Sequence, residues 1–205
     1  MKKTSPLKYI VDSGLKLLLK DAGFTKIRFR FHRRRGSVIQ LIKIRGSHHG
    51  MGSGDFYVDV NLAFTELQEI DRINLSKRFK GRETEIPSPD TPIIDFSTSL
   101  NRLVPDTPQY WLVSSENIDH ITNELAGKVK LLISCLDRVN TIPTFLSMNW
   151  LGVGSDYLLA ARLYYAIGDL ENAAKYVNLA AKYFSDRPGM SPTEIVKMYK
   201  LEKLA

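Results

Sequence analysis

The residues of this 205-residue chain whose types could do chemistry are four histidines, one cysteine and a run of arginines. His48 and His49 are adjacent, so in an extended chain they point to opposite sides. No cysteine or carboxylate cluster stands beside them to complete a metal site. Cys135 and His120 lie fifteen residues apart on one predicted helix. That is about 22 Å along the axis, too far for a thiolate–imidazole pair. Cys135 sits in LLISCL, an apolar stretch, and reads as a buried structural thiol. The glycine-rich GMGSG precedes a strand and so lacks the helix N-terminus a phosphate cradle needs. Asp55 and Asp59 share a strand face but flank Tyr57 and read as solvated. No dinucleotide, P-loop, nucleophile-elbow or zinc-protease pattern occurs. The sequence offers no catalytic residue, no metal site and no cofactor motif.

What it offers instead is charge. Arg28, Arg30, Arg33, Arg34 and Arg35 fall within eight positions. Residues 1–50 hold thirteen Lys and Arg against Asp12 and Asp21, whereas residues 51–205 hold sixteen against twenty Asp and Glu. The basic excess is confined to the first quarter, which points to an acidic partner. In an extended strand Arg28, Arg30 and His32 share the outer face, about 7 Å apart. Arg33, Arg34 and Arg35 then fan out from a turn, and Lys43 and Arg45 join from the next strand. Such spread cations suit phosphates, and arginine forks suit carboxylates. Single-stranded nucleic acid also needs aromatics on the same face. Phe29 and Phe31 alternate with the arginines and point inward, leaving only Tyr57 on the polar side. A third reading is a solvated face that keeps the strand from pairing edge to edge.

The elements that must carry this face follow from periodicity. Leu7, Ile10, Val11, Leu15, Leu18 and Leu19 recur at helical spacing, with Ser5 as cap, Pro6 in the first turn and Gly23 as terminator. Ile27, Phe29 and Phe31 then alternate with polar residues as one strand. Gly36 supplies the turn to a strand over 37–45, and DFYVDVNLAF is the third strand of a meander. Residues 65–108 carry five of the nine prolines and predict a long loop with a short helix near Glu66–Arg72. QYWLV predicts a fourth strand anchored by Trp111, and Ser115 is expected to cap a long helix over about 116–139. Further on, Gly168 and Asp169 separate two helices, and Ser191 caps a last one over Pro192–Leu204. The longest apolar runs are only a few residues, and the single cysteine forms no intrachain disulfide. Both predict a cytoplasmic chain with no membrane span.

Two stretches resemble known families. YYAIGDLENAAKYVNLAAKYF, within about 155–185, resembles one tetratricopeptide-type hairpin: an aromatic pair before Gly-Asp, then alanines at packing positions. LKLLLKDAGFTKIRFRFHRRRGSVIQLIKIRGS, then DFYVDVNLAF, then RLVPDTPQYWLV, is similar to the bacterial family called domain of unknown function 4304, over about residues 8–145. Gly23, Phe24, Phe31, Phe56, Asn61 and Trp111 carry that likeness, and IKIRGS departs from it where a Gln-Lys-Ser-like end is usual. The resemblance implies an α+β domain with no assigned activity, and an association of some such domains with immunity-like proteins.

The expected architecture is therefore α+β: an N-terminal helix, an antiparallel sheet of about four strands, a long helix and a helical C-terminal extension. The α+β domain spans 1–150 and the extension 151–205. The expected function is a non-catalytic interaction module, immunity-like or regulatory, that docks an acidic protein on the basic hairpin. One alternative is nucleic-acid binding by the same hairpin. The other is an enzyme with its site between the sheet and loop 65–108.

Overall fold

A computed structural model describes residues 5–46, 55–68, 71–72, 80, 91–153 and 155–185. The predicted helix over Pro192–Leu204, the His48–His49 pair and most of the proline-rich loop lie outside these residues. The chain divides into two compact units, Met1–Ala63 with Ile94–Asn140, and Phe64–Ile93 with Thr141–Ala205.

The first unit opens with helix α1 (Pro6–Ile10), a π-helical turn (Val11–Leu15) and helix α2 (Lys16–Asp21). Ser5 accepts a hydrogen bond from the Lys8 backbone and Pro6 fills the first turn, as the capping pattern predicts. Gly23 takes φ +84°, and the Gly23 and Phe24 amides donate to the carbonyls of Lys20 and Leu19. This closes α2 with a Schellman motif that turns Phe24 into the core, 4% exposed.

Five strands follow as an antiparallel meander in chain order: β1 (Thr25–Ile27), β2 (Arg30–Arg35), β3 (Val38–Gly46), β4 (Phe56–Phe64) and β5 (Phe96–Ser99). A short helix α3 (Leu100–Leu103) follows β5, and the long helix α4 (Ile118–Leu136) buries Leu125, Val129, Leu132 and Leu136. In β4 the buried residues Phe56, Val58 and Val60 alternate with half-buried Tyr57 and Asp59, as period-two spacing dictates. α1 and the π turn pack on α4, close enough that a Cβ on Gly14 would sit 2.5 Å from Cγ2 of Thr122.

Four local expectations are corrected. The single strand through Ile27, Phe29 and Phe31 is a hairpin: Ile27 pairs with Arg30, and Arg28-Phe29 form a two-residue turn. Alternation hid the turn because its corner is Arg28 at φ +56°, not a glycine. An L-residue there costs about 1 kcal/mol or more. QYWLV does not become a strand, because β5 occupies the edge of β4 from Asp59 to Leu62. Only Trp111 reaches the free end, exchanging both backbone hydrogen bonds with Phe56 and stacking on its ring at 6.0 Å. Each of these two buried aromatics contributes roughly 2 kcal/mol. Finally, α4 is preceded by Asn117, not Ser115. The Asn117 side chain accepts from the Ser114 amide and donates to the Leu112 carbonyl. Cys135 is half-buried rather than fully buried.

In the second unit residues 65–68 and 71–72 are helical, consistent with the short helix expected near Glu66–Arg72. Gln68 fixes Ile93 through both its amide atoms, at 2.9 and 2.7 Å. A short helix α5 (Ile142–Leu146) begins with a capping box between Thr141 and Thr144. Helices α6 (Ser155–Ala166) and α7 (Leu170–Ser185) pair as a hairpin. Gly168 turns at φ +79° and Asp169 caps α7 by accepting from the Asn172 amide. Tyr164 stacks on Tyr176 at 5.4 Å across the pair. Arg162 and Asp71, each 14% exposed at the side chain, form an ion pair. No helix among the described residues is long and apolar enough to cross a membrane.

Candidate functional site: the basic hairpin

β2 and β3 pair over six residues, from Arg30 opposite Lys43 to Arg35 opposite Val38. Gly36 makes the turn at φ +55°, pressed so close to the chain leaving α4 that a Cβ there would meet the Asn140 carbonyl oxygen at 2.3 Å. The Ser37 amide donates to that same oxygen. Because successive side chains alternate, this register divides the arginine run between two faces.

The inner face carries Phe31, Arg33, Gln40 and Ile42. Arg33 is 5% exposed. Its Nε donates to Gln40 Oε1 at 2.8 Å and its Nη1 to the Ala22 carbonyl at 2.7 Å. Its Nη2 lies 2.8 Å from Asp137 Oδ1, and the guanidinium sits over the Phe24 ring at 4.4 Å. Gln40, fully buried, donates through Nε2 to the carbonyls of Leu136 and Val139. Ala22 ends α2 and Leu136 ends α4. Two helix C-termini, each with carbonyls that lack a partner within the helix and a negative dipole end, thus converge on one Arg–Gln pair. Burial pushes the Arg33 guanidinium below its ordinary pKa, and Asp137 opposes that shift.

Two further cations are also met within the chain. Arg35 Nη2 lies 3.4 Å from the same Asp137 oxygen. Arg45 grips Asp59 with two nitrogens, Nη2 at 3.1 Å, and that carboxylate raises the Arg45 pKa. Arg33, Arg35 and Arg45 therefore have carboxylate partners that sequence spacing did not reveal.

The outer face is different. Arg30 stands opposite Lys43, His32 opposite Leu41 and Arg34 opposite Ile39. Arg30 and Arg34 are exposed, and His32, Ile39, Leu41 and Lys43 are half-buried. Arg34 Nε donates to the Gly36 carbonyl, but neither Arg30, Arg34 nor Lys43 has a carboxylate partner among the described residues. Arg28 sits in the β1–β2 turn, also exposed. On β4 the half-buried Tyr57 packs against Tyr110 at 6.2 Å, and Tyr110 and Leu112 are 46% and 56% exposed. Tyr110 precedes inward-pointing Trp111, so the stretch expected as a fourth strand adds an aromatic side chain beside Tyr57.

Sequence reasoning missed Gln40, Asp137, Ile39, Leu41 and Tyr110. A signal for Gln40 was present: it interrupts the apolar series Val38, Ile42, Ile44 at the spacing of the buried face. Among the described residues no group of three or more His, Cys, Asp or Glu is placed to hold a metal ion.

Fold and site together define an α+β domain whose first helix, meander and long helix meet at a basic hairpin. The chain belongs to the family described as domain of unknown function DUF4304, whose model matches residues 15–131. That span runs from the end of the π turn through all five strands and into α4. Neither a curated protein nor a solved structure matches the chain.

Proposed function

We propose that the protein is a non-catalytic interaction module of the bacterial cytoplasm, immunity-like or regulatory, that docks an acidic protein surface on the outer face of its basic hairpin. The observation that carries this reading is the row Arg30, His32, Arg34 set against Lys43, Leu41, Ile39. Cations without carboxylates among the described residues stand there beside the half-buried aliphatic side chains of Leu41 and Ile39. A protein interface combines these two features: apolar contact supplies the buried centre, and complementary charge speeds encounter and fixes register. The mechanism is occlusion of the partner's acidic patch. The tetratricopeptide-like pattern of the 155–185 hairpin suits the same role, as a helical module appended to an interaction domain.

A second reading is nucleic-acid binding, favoured by one observation. Tyr57 and Tyr110 place two aromatic rings on the cationic face, and base stacking needs such a platform.

The test is capture from the source organism's lysate at near-physiological salt. Wild type is compared with R30E/R34E/K43E and with the control K175E/K182E on α7. The docking reading predicts one acidic protein, resistant to nuclease, held by wild type and control and lost from the hairpin variant. Nuclease-sensitive material lost instead transfers the face to the second reading. Equal capture by all three proteins overturns both.

A further inference from the structure

The β1–β2 turn end of the outer face, where the docking row begins at Arg30 and Lys43, also forms a pocket. Ile27, Arg30 and Lys43 lie side by side across β1, β2 and β3. With the turn residues Arg28 and Phe29 and with Ile44 they line a pocket of about 470 Å³. Arg30 and Lys43 are directly opposite in an antiparallel pair, where like charges oppose pairing. Arg28 adds a third cation from a backbone position, φ +56°, that L side chains rarely adopt. Among the described residues no carboxylate lines the pocket. Elsewhere in the same sheet Lys26, Arg33, Arg35 and Arg45 each face an aspartate. Three cations are thus gathered where no described carboxylate offsets them, and an oxyanion seated among them would relieve the repulsion.

The other half of the pocket is apolar. Ile27 is 58% exposed and Phe29 half-buried, so both can cover a ligand's hydrocarbon body. The volume is that of a small-molecule site. Arginine forks bind phosphate oxygens two at a time, and a dianion matches three cations better than a single carboxylate does. We propose that this pocket binds a small phosphate monoester carrying an aromatic or branched apolar group. The assignment does not rest on the docking reading, because the ligand is tested with no partner present.

The experiment is a backbone amide NMR titration of the full chain, with phenyl phosphate and with inorganic phosphate as separate probes. Phenyl phosphate should shift the amides of residues 27–30 and 43–44 saturably, and bind roughly tenfold more tightly than inorganic phosphate. Arg30→Gln and Lys43→Gln should each weaken it about tenfold while the remaining spectrum stays unchanged. Ile27→Ala should erase the preference for the phenyl ester. Three results overturn the proposal: no saturable shift at millimolar ester, equal binding of the two phosphates, or shifts spread diffusely over Arg34 and the other surface cations.

Discussion

Arg33 and Arg34 are neighbours of the same type in one strand, and they have opposite uses. Arg33 points inward, 5% exposed, and joins the ends of α2 and α4 through Ala22, Gln40 and Asp137. Arg34 points outward and, among the described residues, bonds to the carbonyl of its own turn. Gathering the ends of two helices on a buried guanidinium needs a satisfied network, because each unpaired member would be penalised for desolvation. An outward cation on the same strand contributes almost nothing to folding and remains available to a partner. A dense basic run therefore does not measure the charge a surface presents. Register decides which charges the fold itself uses.

Substitution at Arg33 should show this contrast most strongly. Arg33→Gln leaves the Ala22 carbonyl without its donor and Asp137 without its buried partner. It should lower stability by about 3 kcal/mol in urea unfolding. Gly36→Ala comes next, because the added Cβ meets the Asn140 oxygen and takes a left-handed φ. It should cost about 2 kcal/mol, and a loss confined to a few tenths would show that the turn can move off the end of α4. The outward substitutions Arg30→Gln, Arg34→Gln and Lys43→Gln should each change stability by less than about 0.5 kcal/mol. For Arg30→Gln and Lys43→Gln the expected direction is upward, since each removes one side of a like-charge pair.

Asp12 lies away from the hairpin's split faces, and its effect depends on pH. Lys26 and Lys8 hold the Asp12 carboxyl at a pKa of about 2, against an ordinary 3.8. A depressed pKa means its stabilising contribution is present above 3.8 and drains as pH falls toward 2. Asp12→Asn should therefore be less stable than wild type at pH 5 and should converge with it near pH 2. A gap that widens on acidification would contradict the sign.

The fold was largely legible where one local rule acts alone. Ser5, Pro6 and Gly23 bound the first helix, and the alternation in Phe56–Val60 orients β4. Gly168 and Asp169 place the α6–α7 turn. The sequence misled where two rules compete. Ile27, Phe29 and Phe31 satisfy the strand period, yet the chain turns at Arg28, which carries no turn signature. Phe96–Ser99 is short, polar and set among prolines, yet it takes the edge of β4 that the apolar pattern of QYWLV predicts for itself. At the site, the positions of the cations were legible but their partners were not. Asp137 and Asp59 lie 104 and 14 residues away from the arginines they meet, Arg33 and Arg45, and only the assembled sheet brings them together.

Equilibrium urea unfolding of R30Q/R34Q/K43Q beside R33Q decides whether the hairpin is divided in this way. If register separates a structural face from a binding face, the outward triple variant keeps or raises the wild-type midpoint while the single inward variant falls well below it. A triple variant that unfolds as easily as R33Q would show that the outer cations also hold the fold, and would contradict the division of the hairpin into two faces.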